Sequence, residues 1–284
     1  MFKKIAIIGL GLMGGSLAAA CRKKFHKARI VGISRSQEAL ALAMKKKWVH
    51  EATRDVSLGA RGADLVVLCT PVDTFISYLK AIDKVCSKGA LAMDVGSVKG
   101  SVLKEVNSRK WKNLFFVGCH PMVGSHKRGI EAVNPALYKE GLVLLTRDRK
   151  TCFYSYKAAK KFWQSFTSRI VELTPEVHDK LVGEVSHLPH AIAACLMHTV
   201  SSPALKVAST GFRDTTRIAA AASSIWQPIF SSNRKVMLEV LSRFESELRI
   251  FKKLLQNRDS KKLARFLDQA QQKRKSIAGE AGNG

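Results

Sequence analysis

The chain has 284 residues, of which 46% are hydrophobic, and carries 48 Lys+Arg against 22 Asp+Glu for a formal net charge of +26. That length admits one large domain or two ordinary ones, and no stretch approaches the roughly 20 consecutive apolar residues of a membrane span. The six cysteines form neither a C-x-x-C pair nor a tight cluster, which argues against a disulfide framework or a zinc site and suits the reduced thiols of a cytoplasm.

The opening MFKKIAIIGLGLMGGSLAAAC admits two readings. Lys3 and Lys4, an apolar run to Leu17 and small residues before Cys21 have the outline of an export signal. The finer pattern is a strand over Lys3 to Ile8, a G-x-G-x-x-G turn at Gly9, Gly11 and Gly14, and a helix through the following alanines. A second strand from Arg29 to Ser34 completes a βαβ unit, which nothing about an export signal requires. In such a turn Gly9 permits the bend, Gly11 lets a pyrophosphate approach the backbone and Gly14 lets helix and strand pack closely. Leu12 and Met13, inside the turn, then belong to the dinucleotide site, at a helix start where free N–H groups favour negative charge.

The end of the second strand discriminates between cofactors. An acidic residue there binds the ribose hydroxyl of NAD, whereas this chain has Ser34, Arg35 and Ser36. A guanidinium with flanking hydroxyls suits a phosphate, so NADP is expected, with NAD as the alternative. Ser36 also predicts the cap of a helix over residues 37 to 46.

Further strands are expected at 64–70, closed by Pro71, at 90–95, ending in Gly96 and Ser97, at 114–117, ending in Gly118, Cys119, His120 and Pro121, and at 142–145 and 169–173. Helical stretches separate them, which predicts an α/β Rossmann-type doubly wound parallel sheet covered on both faces. Ligands of such sheets sit beyond the carboxyl ends of the strands. Thr70, Pro71, Ser97 and His120 are therefore candidate site residues.

From Thr174 and Pro175, a cap followed by a first-turn proline, strand signals vanish, and the boundary to an all-helical domain is placed near residue 173. The alanine run 219–222, the amphipathic stretch 236–255 and the segment beyond it have helical spacing. Residues 276–284 are small and polar and are expected to be disordered. Residues 252–275 hold nine Lys or Arg, yet the basic residues of the chain are spread widely, with no zinc-finger, helix-turn-helix or aromatic-and-basic RNA signature. Nucleic acid is not the expected partner; a basic surface also draws in a small dianion and a phosphorylated cofactor.

Three polar constellations remain: DVGSVKG (94–100) with GCHPMVG (118–124), SHLPHA (186–191) and GFRDTTRI (211–218). Glu184 and His187 form an E-x-x-H pair, but a carboxylate-bridged metal site needs a second pair, and none is present in the sequence; no metal is expected.

Together with GLGLMGGSLA (9–18) and GCHPMVGSHKRG (118–129), these segments, in this order, resemble the prephenate and arogenate dehydrogenases of tyrosine biosynthesis. The resemblance covers residues 4 to about 255 and includes no fused regulatory domain. It implies an NADP- or NAD-linked homodimeric enzyme of the cytoplasm whose helical second domain supplies substrate contacts and the dimer interface. The reaction implied is oxidative decarboxylation: hydride leaves C4 of the cyclohexadienyl ring, CO2 leaves C1, and the ring becomes aromatic. His120 would take the proton of the 4-hydroxyl, with Ser97 orienting it and touching hydroxyl and nicotinamide; a helix N-cap is the ordinary role for Ser97. Arg217 would bind the ring carboxylate and His190 the substrate side chain, while His187 supports helix packing. Arg213 would reach the neighbouring subunit's site or pair with Asp214. Ser125 and His126 lie in the loop that faces the substrate. The chain departs from the family pattern at Cys119, where a glycine is common, at His126, where some relatives carry an acidic gate, and before Trp226, where Asp-Pro is frequent. A basic residue at 126 favours prephenate, with its keto acid side chain, whereas the Ser34 to Ser36 element resembles NADP-linked members, several of which use arogenate.

Overall fold

The computed structural model describes residues 2–123 and 129–279, so Ser125 and His126 lie outside the described residues. Residues up to Arg234 form one compact unit and those from Lys235 a second.

The first unit is built on an eight-stranded sheet of order β3-β2-β1-β4-β5-β6-β7-β8. Its strands are β1 (Lys4–Ile8), β2 (Arg29–Ile33), β3 (Glu51–Thr53), β4 (Leu65–Leu68), β5 (Ala90–Asp94), β6 (Leu114–Met122), β7 (Leu142–Thr146) and β8 (Ile170–Leu173). Side chains alternate across a strand, so Ile5 and Ile7 of β1 join one apolar layer with Leu17 and Trp163, while Ala6 and Ile8 join the other with Phe75 and Leu79. Both layers are buried, which is why the strands read as continuous apolar runs. Covering them are α1 (Leu12–Lys24), α2 (Gln37–Lys45), α3 (Val56–Ala60), α4 (Phe75–Ile82), α5 (Gly100–Asn107) and α6 (Phe153–Gln164). As expected, the Ser36 hydroxyl accepts the Ala39 N–H at the start of α2. The short β3 and α3 carry too few residues for a period to register and were not anticipated.

The sheet differs from the all-parallel expectation at one seam. β6 runs parallel to β5 over 114–117, then antiparallel to β7 from Gly118↔Thr146 to Met122↔Leu142. Pro121 reads as a strand terminator, yet the strand continues through it to Met122. His120 is therefore an internal strand residue rather than one beyond a strand end.

Beyond the sheet follow α7 (Pro175–Val182), a π turn at Gly183–His187, α8 (Leu188–Thr199), the short α9 (Ser202–Leu205), α10 (Thr210–Thr216), a 3₁₀ turn at Arg217–Ala220 and α11 (Ser223–Ser232). The Thr174 hydroxyl accepts the Val177 N–H and Pro175 fills the first turn, as the sequence predicts. The alanine run does not form a helix: the 3₁₀ turn ends at Ala220, and Ala221 and Ala222 are extended. In the second unit α12 (Arg234–Gln256) and α13 (Ser260–Gly279) meet at a turn where Arg258 takes a φ of 51°, and Phe251 packs on Phe266. The tail expected to be disordered from residue 276 is helical through Gly279.

Candidate active site

Gly9 has a φ of 97°, a region that L side chains rarely adopt. A Cβ at Gly14 would lie 1.8 Å from the Gly9 carbonyl oxygen, so α1 can start against β1 only with glycine there. A Cβ at Gly11 meets nothing within 4 Å: this face of the turn is open space. Gly11 caps α1 without a side-chain hydrogen bond, leaving the first N–H groups of the helix toward that opening. The turn is braced from behind by the Tyr138 hydroxyl, which donates to the Met13 carbonyl at 2.8 Å, and by the Asn134 N–H, which donates to the Ser16 hydroxyl at 3.0 Å.

A cavity of about 870 Å³ extends from this turn. Gly9, Gly11, Thr70 and Pro71 line its inner end and Ser34, Arg35 and Ser36 its outer end. Lys45 and Arg54, which the sequence reading missed, add two cations to the lining, which also holds two carboxylates, Glu38 and Glu131. Arg54 follows the unanticipated β3, so nothing in the chain order pointed to it. The open glycine turn, the free helix N-terminus and the cationic end fit a dinucleotide whose phosphates lie along the turn.

A second cavity of about 1030 Å³ shares Gly11, Cys69 and Gly129 with the first. It is lined by Leu12, Met13, Ser97, His120, His190 and Arg217, with Trp226 among its further walls. The structure thus brings together residues from β6, the β5–α5 connection, α8, the 3₁₀ turn and α11. Gly14 lines neither cavity; its role is packing. Arg213 does not line either, is exposed, and among the described residues forms no ion pair with Asp214.

His120 is 6% exposed. Its Nδ1 lies 2.9 Å from Nε2 of His178, and Nδ1 of His178 lies 2.8 Å from Oδ1 of Asp179. Asp179 is itself held by the N–H groups of Lys99 and Gly100, each at 2.8 Å. One residue before His120, the Cys119 N–H donates to Oδ1 of Asp94 at 3.0 Å, while the wholly buried Lys99 ammonium donates to Oδ2 at 2.6 Å. The hydrogen-bond partner of Nδ1 is His178; Ser97, expected to orient the imidazole, lines the same cavity but makes no hydrogen bond to it among the described residues. Nor does Ser97 cap α5; that position is Lys99. The TPEVHD segment (174–179) gave no signal for this role, because its polar pair follows an ordinary helix cap.

Burial, the Lys99 ammonium and the imidazoles of His178 and His187 hold the pKa of His120 well below that of free imidazole. Burial also lowers His178, against the opposing pull of Asp179. His187, wholly buried, accepts from the Asn233 amide at 3.1 Å and is pushed down to about 4, chiefly by burial. His190 stacks on Trp226 with ring centroids 3.5 Å apart and 11° between planes, and its buried Nδ1 lacks a protein partner among the described residues. The π turn sets the register at which α8 presents His190 to the cavity while His187 turns inward. The site therefore offers a neutral imidazole, a guanidinium and a stacked second imidazole around one cavity, next to a cleft for a phosphorylated dinucleotide.

This fold and this pair of cavities define a nicotinamide-dependent dehydrogenase. The prephenate dehydrogenase nucleotide-binding domain model matches residues 17–172, and the prephenate dehydrogenase dimerization domain model matches residues 174–269. The chain is 31% identical over 280 residues to a prephenate dehydrogenase of Bacillus subtilis, covering 96% of this chain and 76% of that protein. It is 31% identical over 284 residues to the cyclohexadienyl dehydrogenase of Zymomonas mobilis, covering 98% and 97%. A crystal structure of the A. aeolicus prephenate dehydrogenase, in complex with hydroxyphenyl propionate and NAD+, superposes with a TM-score of 0.91 at 32% identity, covering 98% of this chain and 99% of that one. Synechocystis arogenate dehydrogenase superposes with a TM-score of 0.80 at 28% identity, covering 96% and 99%. The chain belongs to the prephenate/arogenate dehydrogenase family and is an NAD(P)-dependent oxidoreductase.

Proposed function

We propose that the protein is an NADP-dependent prephenate dehydrogenase, converting prephenate to 4-hydroxyphenylpyruvate and CO2 in tyrosine biosynthesis. The observation that carries this reading is His120, a buried, neutral imidazole facing a cavity that also holds Arg217. Gly11, Leu12 and Met13, which line that cavity, would hold an oxidised nicotinamide, which would supply the hydride acceptor. His120 takes the 4-hydroxyl proton as hydride departs, a task suited to an imidazole. Ser97 contacts the same hydroxyl, Arg217 holds the ring carboxylate through a guanidinium fork, and the unpartnered His190 meets the side chain. Gly9, Gly11, Leu12, Met13, Thr70 and Pro71 hold the dinucleotide, while Gly14 lets α1 pack behind it. Ser125 and His126, outside the described residues, are proposed as further substrate-binding residues.

NADP is supported by Ser34, Arg35, Ser36, Lys45 and Arg54 around the outer end of the first cavity. Arogenate is the second reading, favoured by that element and by the similarity to the Synechocystis enzyme. A division of labour near residue 173 is supported by two family models that end at 172 and begin at 174. A homodimer is supported by the second model's description and by exposed Val177, Leu181, Val185 and Val207 on the helical segment; in it Arg213 reaches the neighbouring site. No described helix is long and apolar enough to cross a membrane, and free thiols suit a cytoplasmic enzyme. The test mixes the protein with prephenate or arogenate and each oxidised cofactor and follows reduced nicotinamide by absorbance. The fastest rate is expected with prephenate and NADP; no signal from any of the four pairs rejects the reading.

A further inference from the structure

We propose that His178 and Asp179 are positioning residues that lock His120 as its Nδ1–H tautomer, leaving Nε2 as the bare acceptor on the cavity side. The deduction begins at Asp179, an acceptor when ionised. Its two oxygens take the N–H groups of Lys99 and Gly100, so its orientation is set by the backbone at the start of α5. Oδ1 can therefore meet Nδ1 of His178 only as an acceptor, and His178 carries its hydrogen on Nδ1. A neutral imidazole has one N–H, so Nε2 of His178 holds a lone pair and accepts from Nδ1 of His120 across 2.9 Å. Each step follows from the one before, and the chain ends at Nε2 of His120.

The alternative is a doubly protonated His178, which would donate to His120 and reverse its tautomer. The groups around the pair oppose it. Lys99 at the start of α5 is a buried cation, and His187 on the π turn and His120 on β6 are further bases that a charge would repel. Of the two nearby carboxylates, Asp94 on β5 is already neutralised by Lys99, and Asp179 is shared with two backbone donors. Burial favours the uncharged form as well.

What Nε2 does rests on the proposed reaction: it gains the alcohol proton as the O–H bond breaks and hydride passes to the oxidised nicotinamide. The resulting imidazolium keeps its Nδ1–H on His178, two hydrogen bonds from the Asp179 carboxylate, which stabilises the new charge without moving the ring.

The tautomer is measurable without turnover. Ring-nitrogen NMR of the full chain labelled with 15N-histidine, at a pH above 7, is assigned for His120 by its loss in His120→Asn. A protonated Nδ1 and a bare Nε2 are expected; a protonated Nε2 overturns the proposal. In His178→Phe, which keeps Asp179 and the start of α5, His120 should lose this preference. Its kcat should fall about 10²-fold or more with KM and cofactor affinity nearly unchanged. An unchanged tautomer and an unchanged kcat in that variant also overturn it. A wild-type Nδ1–H signal in a protein inactive on every substrate pair rejects the reaction and leaves the tautomer assignment standing.

Discussion

The Lys99 N–H and the Asp179 carboxylate, 80 positions apart, meet at 2.8 Å in a buried hydrogen bond. Through it the start of α5, at the end of a Rossmann strand, is tied to the first helix of the helical segment. The same lysine uses its ammonium to neutralise Asp94, whose other oxygen holds the backbone next to His120. One residue thus connects the two carboxylates that frame the proposed base.

Replacing that base separates chemistry from binding. His120→Asn removes the basic nitrogen while roughly preserving size and polarity, and kcat is expected to fall by about 10²–10⁴-fold. Cofactor affinity, measured by fluorescence titration, should stay close to wild type. Equal losses in both would show that the substitution disturbs the fold.

Arg35→Ala tests cofactor choice. A hydrogen bond to a charged group is worth about 1.5–3 kcal/mol, so kcat/KM with NADP should drop by about 10–100-fold while the value with NAD holds. Arg54→Ala should act in the same direction. A wild-type enzyme that strongly prefers NAD, with no effect of either change, counts against the phosphate site.

Two glycines of one turn should respond oppositely. Gly14→Ala drives a methyl to within 1.8 Å of the Gly9 oxygen and is expected to cost about 1–3 kcal/mol of stability, read as a lower urea midpoint. Gly11→Ala meets open space at a φ of −82°, so stability should hold while dinucleotide affinity falls. Equal midpoints for the two variants would contradict the packing described.

Acid should weaken the fold in a defined window. With a folded pKa of about 4 against a free value of 6.5, His187 binds its proton less readily when folded. The stabilisation is complete above pH 6.5 and is lost as the pH falls from there to 4. At pH 5 the loss is about 2 kcal/mol from this residue alone, and the lowered His178 adds in the same direction. His187→Gln should flatten the dependence of the urea midpoint on pH between 7 and 5; a curve parallel to wild type would show that this imidazole is not the sensor.

Much of the frame was legible in the chain because its signals are local. Gly9 and Gly14 mark a turn by their spacing, Ser36 and Thr174 mark helix starts, and the apolar runs of β1, β4 and β5 are long enough to read. The candidate site was legible as far as motifs carried it, to His120, Ser97, Arg217 and His190, which line one cavity. What escaped depends on distance. Pro121 looks like a terminator because the partner that keeps it in the sheet is Val143 on β7. Arg54 joins Arg35 only after β3 pairs with β2. His178 and Asp179 read as ordinary helix residues, and acquire a role only when α7 is laid against β6 and α5. The π turn had no sequence signature, since it shifts register by a single residue inside continuous helical pattern.

The two sides of the second cavity differ in how they are held. His120 sits in a strand paired with β7 and braced by Asp94, whereas the facing wall comes from the end of a π turn and a brief 3₁₀ turn. Descent with modification can redraw that wall, admitting a keto acid or an amino acid, without re-siting the proposed base. Broad and narrow substrate habits among its kin would then be variations on the lid of one fixed anvil.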